Sequence, residues 1–312
     1  MVRGWAGRVS SGKTDAMGVL KVRLGVGLGP GGGAAEFPSI VDELESAGVD
    51  SLWLSEVVYG ANVEPLIGMT HALARTSKLN VGTGVSVLPG RNPVLVAKQL
   101  VTLAGLAPKR VLPVFGLRPA RRNEWNLFPV PSGRRAAVFD ESLQLLKLLL
   151  TSDDVHFSGE FFQLDGVSLA DRPARPLDIW VGGSAPSALR RVGRLADGWL
   201  GSFVTPDQAK LAVDTIKAAA ADAGREVEED HYGLSLAIAP AGIPPELAKA
   251  ALDRAPGVDP ADLVAASWDD ARRLLDRYLD AGLTKFVLRP AGPLSWTDFM
   301  RNFLPLAESL HN

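Results

Sequence analysis

From Val22 onward two hydrophobic periods alternate along the chain. Short runs of adjacent apolar and β-branched residues are each followed by a longer stretch with apolar residues three and four positions apart. The first pair is a strand at Val22–Leu28 and a helix at Phe37–Ala47, where Phe37, Ile40, Val41 and Leu44 make one face and Gly48 ends it. The same reading places strands at Ser51–Ser55, Leu79–Val85, Arg110–Gly116, Asp178–Val181, Gly198–Ser202, Tyr232–Ala239 and Lys285–Leu288. It places helices at Pro65–Arg75, Pro93–Leu106, Ser132–Leu150, Ala185–Leu195, Thr205–Ala223, Trp268–Ala281 and Trp296–Leu310. Eight strands alternating with eight helices demand parallel pairing through helical crossovers. The expected fold is therefore α/β, a (β/α)8 TIM barrel with insertions. A doubly wound sheet is the alternative, and the absence of a break into two unlike halves argues against it.

Two segments interrupt the rhythm. One is an insert at about 151–176, in which Val155–Phe162 reads as a small hairpin. The other is an irregular loop at about 240–262 that carries Pro240, Pro244, Pro245, Pro256 and Pro260. Residues 1–20 scatter Arg3, Arg8, Lys13 and Asp15 among glycines and serines without an apolar stretch. They read as a disordered leader, not a secretory signal, with Met17 as a candidate start. The rest, 21–312, reads as a single barrel domain.

Composition narrows the chemistry. The 312 residues are 46% hydrophobic and 22% charged, which suits a globular protein with a large core. A net charge of -2 offers nothing to nucleic acid. The absence of cysteine excludes disulfides, thiol nucleophiles and thiolate metal sites. Of the four histidines, His71, His156, His231 and His311, none stands at a metal-ligand spacing from another. No apolar run is long enough to span a membrane, and the cytoplasm is the expected compartment.

The most informative segment is Ile179-Trp180-Val181-Gly182-Gly183-Ser184-Ala185-Pro186, with Ala196-Asp197-Gly198-Trp199-Leu200 after a short helix. It reads as strand, glycine turn, helix start and second strand. Ser184 is a good N-cap type, and Pro186 falls in the first helical turn. A helix N-terminus reached through glycines is a ready anion site; a tight turn without a ligand is the plainer reading. Gly27-Leu28-Gly29-Pro30-Gly31-Gly32 fits the dinucleotide pattern G-x-G-x-x-G, with Glu56 ending the next strand. Pro30 inside the turn and the long interval to Glu56 disfavour that reading. In a barrel the same glycines form a flexible first loop at the mouth.

Barrel chemistry gathers at the C-terminal ends of the strands. There the sequence offers Ser55-Glu56 with Tyr59, Thr83-Gly84-Val85-Ser86, Gly116-Leu117-Arg118 with Asn123-Glu124-Trp125, Gly182-Gly183-Ser184, Ser202, and Arg289-Pro290. Glu56 suits a cofactor or polar substrate, or equally a neighbouring arginine. Arg118 suits a phosphate, although Arg121, Arg122, Arg134 and Arg135 make a plain surface role as natural. Gly84 in a β-rich run marks a bulge or a close approach to a flat ligand, or packing at a corner. His71 lies within a helix, and Trp53, Trp180 and Trp199 lie in strands; all four read as structural. No Ser-His-Asp order, catalytic carboxylate pair or H-E-x-x-H occurs. Few acid–base groups beside one anion site fit chemistry carried by a cofactor.

These residues carry a resemblance. Ala47 to Glu56, Val81-Gly82-Thr83-Gly84-Val85 with Pro89 and Arg91-Asn92-Pro93, Arg110 to Gly116, and Ile179 to Leu200 resemble the luciferase-like flavin and deazaflavin oxidoreductases, the bacterial luciferase superfamily. The resemblance implies a barrel that binds FMN or coenzyme F420 at the strand C-termini and acts on a small-molecule substrate, as a homodimer. It implies a bulge with a non-prolyl cis peptide at Gly84-Val85 under the middle ring of the cofactor. It implies a phosphate held by Gly182, Gly183 and Ser184 with Ser187, helped by Arg118. Asn123, in an Asn-Glu-Trp similar to the family's Asn-Glu-Phe, would contact the cofactor edge. Glu56 stands where the family usually has Asp, and Phe115-Gly116-Leu117-Arg118-Pro119 replaces a glycine-rich stretch. Leu106 to Gly116 resembles actinobacterial deazaflavin-dependent members, so F420 is preferred and FMN is the alternative. The implied activity is hydride transfer, with Glu56 or Tyr59 orienting the substrate or relaying a proton. An FMN-dependent monooxygenase and a cofactor-less binding protein are the other readings.

Overall fold

The computed structural model describes residues 21–28 and 33–310. The leader at 1–20, most of the glycine loop after the first strand, and His311 lie outside the described residues. In chain order the barrel wall begins with β1 (Arg23–Gly27), α1 (Phe37–Ser46), β2 (Ser51–Leu54), α2 (Pro65–Arg75), β3 (Asn80–Thr83) and β4 (Ser86–Val87). It continues with α3 (Pro93–Leu106), β5 (Val111–Leu112), β6 (Val114–Gly116) and α4 (Arg135–Thr151). An antiparallel hairpin, β7 (Val155–Ser158) and β8 (Gln163–Val167), is the insert. Then come β9 (Trp180–Gly182), α5 (Pro186–Leu195), β10 (Gly198–Ser202), α6 (Pro206–Asp222) and β11 (Tyr232–Ile238). The chain ends with α7 (Pro245–Arg254), β12 (Val264–Ala265), α8 (Trp268–Asp280), β13 (Lys285–Pro290) and α9 (Trp296–Leu310).

All barrel pairings are parallel. β1 lies between β2 and β13, and the ladder runs from β13 through β11, β10 and β9 to β6. The ring closes through two split strands: β2 pairs β3, β3 pairs β5, and β4 pairs β6. Since β3 and β4 are halves of one strand, and β5 and β6 of the next, this is the eight-stranded parallel barrel that the alternation predicts. Both splits have local causes. Leu79–Val85 reads as one strand in the sequence, but a cis peptide bond at Gly84–Val85 interrupts it. Arg110–Gly116 breaks at Pro113, which has no N–H for the ladder.

Three further differences are instructive. The loop at 240–262 contains a helix, α7, whose Pro245 falls at a first-turn position where proline costs nothing, so its prolines mask an element. Ser184 is not the cap of α5: the N-cap is Ala185, with no side-chain cap bond. The hairpin runs on to Val167, because Gly159 to Phe162 form its connection.

The period of two sorts each strand. Leu52, Leu54, Phe286, Leu288 and Val181 face the helices in the outer core, whereas Trp53, Val114, Trp180, Leu200 and Val287 fill the barrel with Val85 and Leu112. Glycines opposite the tryptophans make this possible: a Cβ on Gly25 would meet the Trp53 indole nitrogen at 2.6 Å. The Ala196-Asp197-Gly198 part of the most informative segment belongs to the other end. Asp197 ion-pairs with Lys147 and Arg225 and accepts the Ile179 N–H at 2.9 Å, so it ties α4 and β9 to the barrel floor.

Glu45, at the end of α1, locks that helix to the approach of β3. Its carboxylate accepts the N–H groups of Ser77 (2.8 Å), Lys78 (3.0 Å) and Leu79 (2.8 Å) and the Ser77 hydroxyl (2.8 Å). Desolvation opposes ionisation, but these bonds outweigh it and hold the pKa at about 2. The carboxylate's folded pKa lies below its unfolded value, so its contribution is full above about pH 5 and vanishes as pH falls towards 2. Glu45→Gln is expected to cost about 1–2 kcal/mol at pH 7, a figure reduced for solvent screening. Thermal melts of variant and wild type should converge between pH 5 and 2.5; a constant gap would disprove the linkage.

Candidate active site at the barrel mouth

The C-terminal ends of the strands converge on one polar cluster inside the barrel. Arg289, at the end of β13, follows Phe286-Val287-Leu288, and the strand period turns it to the same side as Val287. Its Nε donates to Ser235 Oγ (2.6 Å), Nη1 to Ser55 Oγ (2.8 Å) and Nη2 to the carbonyl of Gly84 (2.9 Å). Ser55 Oγ donates to the same carbonyl at 2.9 Å. The ends of β2 and β13, the middle of β11 and the cis peptide are thus joined through one guanidinium. A Cβ on Gly84 would come within 2.7 Å of Nη2, and Gly27 leaves room on the other flank.

Val85 stands above this cluster between two more glycines. A Cβ on Gly116 would approach it at 2.6 Å and one on Gly182 at 3.0 Å. The turn after β9 then swings outward. Gly183 has φ +113°, a conformation that side chains rarely adopt, and its carbonyl accepts the Trp199 indole N–H at 2.8 Å. Trp199 is fully buried, so its N–H needs this acceptor. In a trans peptide the C=O and N–H point opposite ways. Pinning the Gly183 carbonyl inward therefore directs the Ser184 N–H away from the core, beside the opening of α5. Ser184 is half-buried and Ser187 exposed. In the sequence Trp199 reads as packing alone; the buried indole N–H is the signal for its second role.

Glu56 is drawn to its arginine neighbour. It is buried, its Oε2 accepts the Val87 N–H at 2.6 Å, and its Oε1 pairs with Arg91. Burial raises its pKa against the pull of these partners. Arg91 also donates to the Val87 carbonyl (2.9 Å) and lies over the Phe128 ring at 5.4 Å. Both carboxylate oxygens are engaged in bracing the chain after β4. Tyr59 is exposed, and its backbone N–H donates to Glu124 Oε1 at 3.0 Å, which joins the loops after β2 and β6. Glu124 itself is fully buried, with Oε2 unpartnered among the described residues. Asn123, next to it in a 3-10 turn, is exposed.

Arg118 is exposed and stacks on Trp125 at 4.8 Å. Arg135 Nη2 donates to the Phe128 carbonyl at 2.7 Å, while its Nη1 has no partner among the described residues. Burial, then the charge of Arg118, pushes the Arg135 pKa down. The loop after β6 and the start of α4 therefore present two neighbouring cations. His231 lies away from the mouth. It stands at the barrel floor, its Nε2 3.6 Å from Glu228 and 3.7 Å from Asp230, with Lys285 on Asp230 at 3.6 Å.

The fold is a (β/α)8 barrel with a polar cluster at its mouth. The chain belongs to the luciferase-like monooxygenase family, whose model matches residues 16–283. An uncharacterized protein of Mycobacterium tuberculosis is 35% identical over 169 residues, 54% of this chain and 58% of the relative. The F420-dependent glucose-6-phosphate dehydrogenase of Amycolatopsis mediterranei is 26% identical over 85% of this chain and 92% of that protein. The chain thus spans under two thirds of the length of some curated relatives it matches and nearly all of others. An F420-dependent secondary alcohol dehydrogenase in complex with an F420-acetone adduct shares the fold, with TM-score 0.76 and 18% identity over 94% of this chain and 100% of that one. So does the oxygenating constituent of the 3,6-diketocamphane monooxygenase of Pseudomonas putida in complex with FMN, with TM-score 0.73 and 15% identity over 93% and 98%. Among the described residues no helix is long and apolar enough to cross a membrane.

Proposed function

We propose that the chain is an F420-dependent oxidoreductase that transfers a hydride between the deazaflavin and a small organic substrate. The observation that carries this reading is the pair of backbone features on one rim: the Gly84–Val85 peptide braced by Arg289 and Ser55, and the Gly183 turn pinned by Trp199. A flat ring needs a platform without protruding side chains, which Gly84, Gly116 and Gly182 around Val85 offer. A phosphate needs N–H donors, which the Ser184 peptide and the first turn of α5 offer. The residues present therefore fit the group. When bound, the deazaflavin supplies the hydride chemistry.

The chain's own part is to bind and orient. Gly182, Gly183, Ser184 and Ser187 would hold the phosphate, Val85 the ring, and Asn123 its edge. Arg118 and Arg135 would attract an acidic tail, which favours F420 over FMN. The names of the curated relatives point the same way. Glu56 would act on the reaction by holding Arg91 and the β4 segment in place, and Tyr59, exposed at the mouth, would orient the substrate. An FMN-dependent monooxygenase is the second reading, favoured by the family model and by the FMN-bound structural relative.

Separate titrations of purified protein with F420 and with FMN, followed by cofactor fluorescence, test this. Saturable micromolar or tighter binding of F420, with FMN at least ten-fold weaker, is expected. The reverse order would establish the monooxygenase reading, and response to neither would favour a cofactor-less binding protein.

A further inference from the structure

Arg289 carries a charge that no carboxylate among the described residues compensates. Its three hydrogen bonds all go to neutral acceptors, Ser235 Oγ, Ser55 Oγ and the Gly84 carbonyl. No carboxylate pairs with it among the described residues, and the undescribed loop at 29–32, Gly-Pro-Gly-Gly, contains no acid. Arg135 shares this lack of a carboxylate, but several other arginines drawn from solvent are paired. Arg191 pairs with Asp140, Arg91 with Glu56 and Arg225 with Asp197. Arg110 donates to the Leu73 carbonyl at the end of α2, where the helix dipole supplies negative potential, and to the Leu79 carbonyl before β3.

Burial pushes the Arg289 pKa down to about 10, so the group is still charged at neutral pH. A half-buried cation held only by hydroxyls and a carbonyl is unfavourable unless something supplies the opposite charge. A guanidinium has five N–H groups. Three are bonded, which leaves one on each terminal nitrogen for an incoming acceptor. Ser55, Ser235 and the space at Gly27 and Gly84 fix the group's orientation without neutralising it. Its place is the barrel mouth, where ligands of this fold bind.

We propose that Arg289 is the counter-charge for a negative group on the ligand that fills the mouth, an anion that accepts from both terminal nitrogens. This rests on the reading of the mouth as a cofactor and substrate site. The anion has two candidate sources: the reduced, deprotonated ring of the cofactor, or a carboxylate or phosphate of the substrate.

The test compares wild type, Arg289→Gln and Arg289→Lys in two ligand pairs, read by quenching of intrinsic tryptophan fluorescence. Reduced and oxidised cofactor form the first pair, and benzoate and the neutral benzamide, on cofactor-free protein, the second. Wild type is expected to favour the anionic member of at least one pair by ten-fold or more. R289Q should lose that preference and R289K keep part of it. Loss in the first pair assigns the charge to the ring, and loss in the second assigns it to the substrate. The proposal is overturned if wild type shows no preference in either pair, or if folded R289Q keeps the preference within two-fold. Should R289Q fail to fold, the wild-type ratios and R289K decide. A protein that binds neither cofactor refutes the proposed function, while the benzoate pair still decides the role of Arg289.

Discussion

Gly193→Ala is expected to destabilise the barrel by about 3 kcal/mol, at the upper end of what overpacking costs, because the atoms it would strike are backbone. Gly193 lies in α5 against α6. A Cβ there would overlap the Ile216 carbonyl oxygen and lie 2.7 Å from the Ala220 N and 2.8 Å from the Ala219 Cβ. Side chains can turn aside, but a helix backbone yields only by moving the whole element. α6 presents alanines along this contact, Ala212, Ala219 and Ala220, so the two helices approach as closely as small residues allow. The carbonyl of Gly193 also accepts from Arg225, which ties the contact to Asp197 at the floor. Gly105, in α3, is the matched control: nothing lies within 4 Å of its Cβ position. Gly105→Ala should stabilise by about 0.5–1 kcal/mol through helix propensity alone. Urea unfolding with unchanged slope should separate the two variants by about 4 kcal/mol, and equal midpoints would refute the packing argument.

The barrel was legible in the sequence because its two periods differ: adjacent apolar residues for strands buried on both sides, three-and-four spacing for their helices. The misread elements share a cause. Proline at 244–245 reads as a breaker but opens α7, and Pro113 divides what reads as one strand. The side-chain partnerships of the mouth were less legible. Glu56 had two readings, and only the fold brings Arg91, 35 positions on, to its carboxylate. Arg289 is visible in the sequence only as a strand-end residue, on the Val287 side by the period of Phe286-Val287-Leu288. What the sequence withheld is that Ser55, Gly84 and Ser235 meet at Arg289, from positions 234, 205 and 54 residues before it. Ser184 shows the opposite error. Its residue type suits a cap, yet one position decides, and Ala185 holds the cap geometry.

Gly183→Val should weaken cofactor binding at least a hundred-fold while leaving a folded protein. At φ +113° a β-branched residue is strained, and its Cβ would also press on the Ala188 Cβ at 3.1 Å. The turn must then rotate. Rotation withdraws the Gly183 carbonyl from the Trp199 indole, and a fully buried N–H loses its acceptor, at a cost of about 1–3 kcal/mol. It also turns the Ser184 N–H away from the opening of α5, where the proposed phosphate would sit. The stability loss is bounded because β9 and β10 keep their ladder and α5 keeps its contacts with α6. Trp199→Phe separates the two effects. It removes the indole donor but leaves Gly183 free to hold its φ, so it should lower stability by a similar amount and weaken binding less than ten-fold. Titration of both variants with the preferred cofactor, beside thermal melts, gives the comparison. If folded G183V binds as wild type does, the Gly183 turn is not the phosphate site; if W199F loses as much affinity as G183V, the indole and not the glycine conformation holds the turn in its binding form.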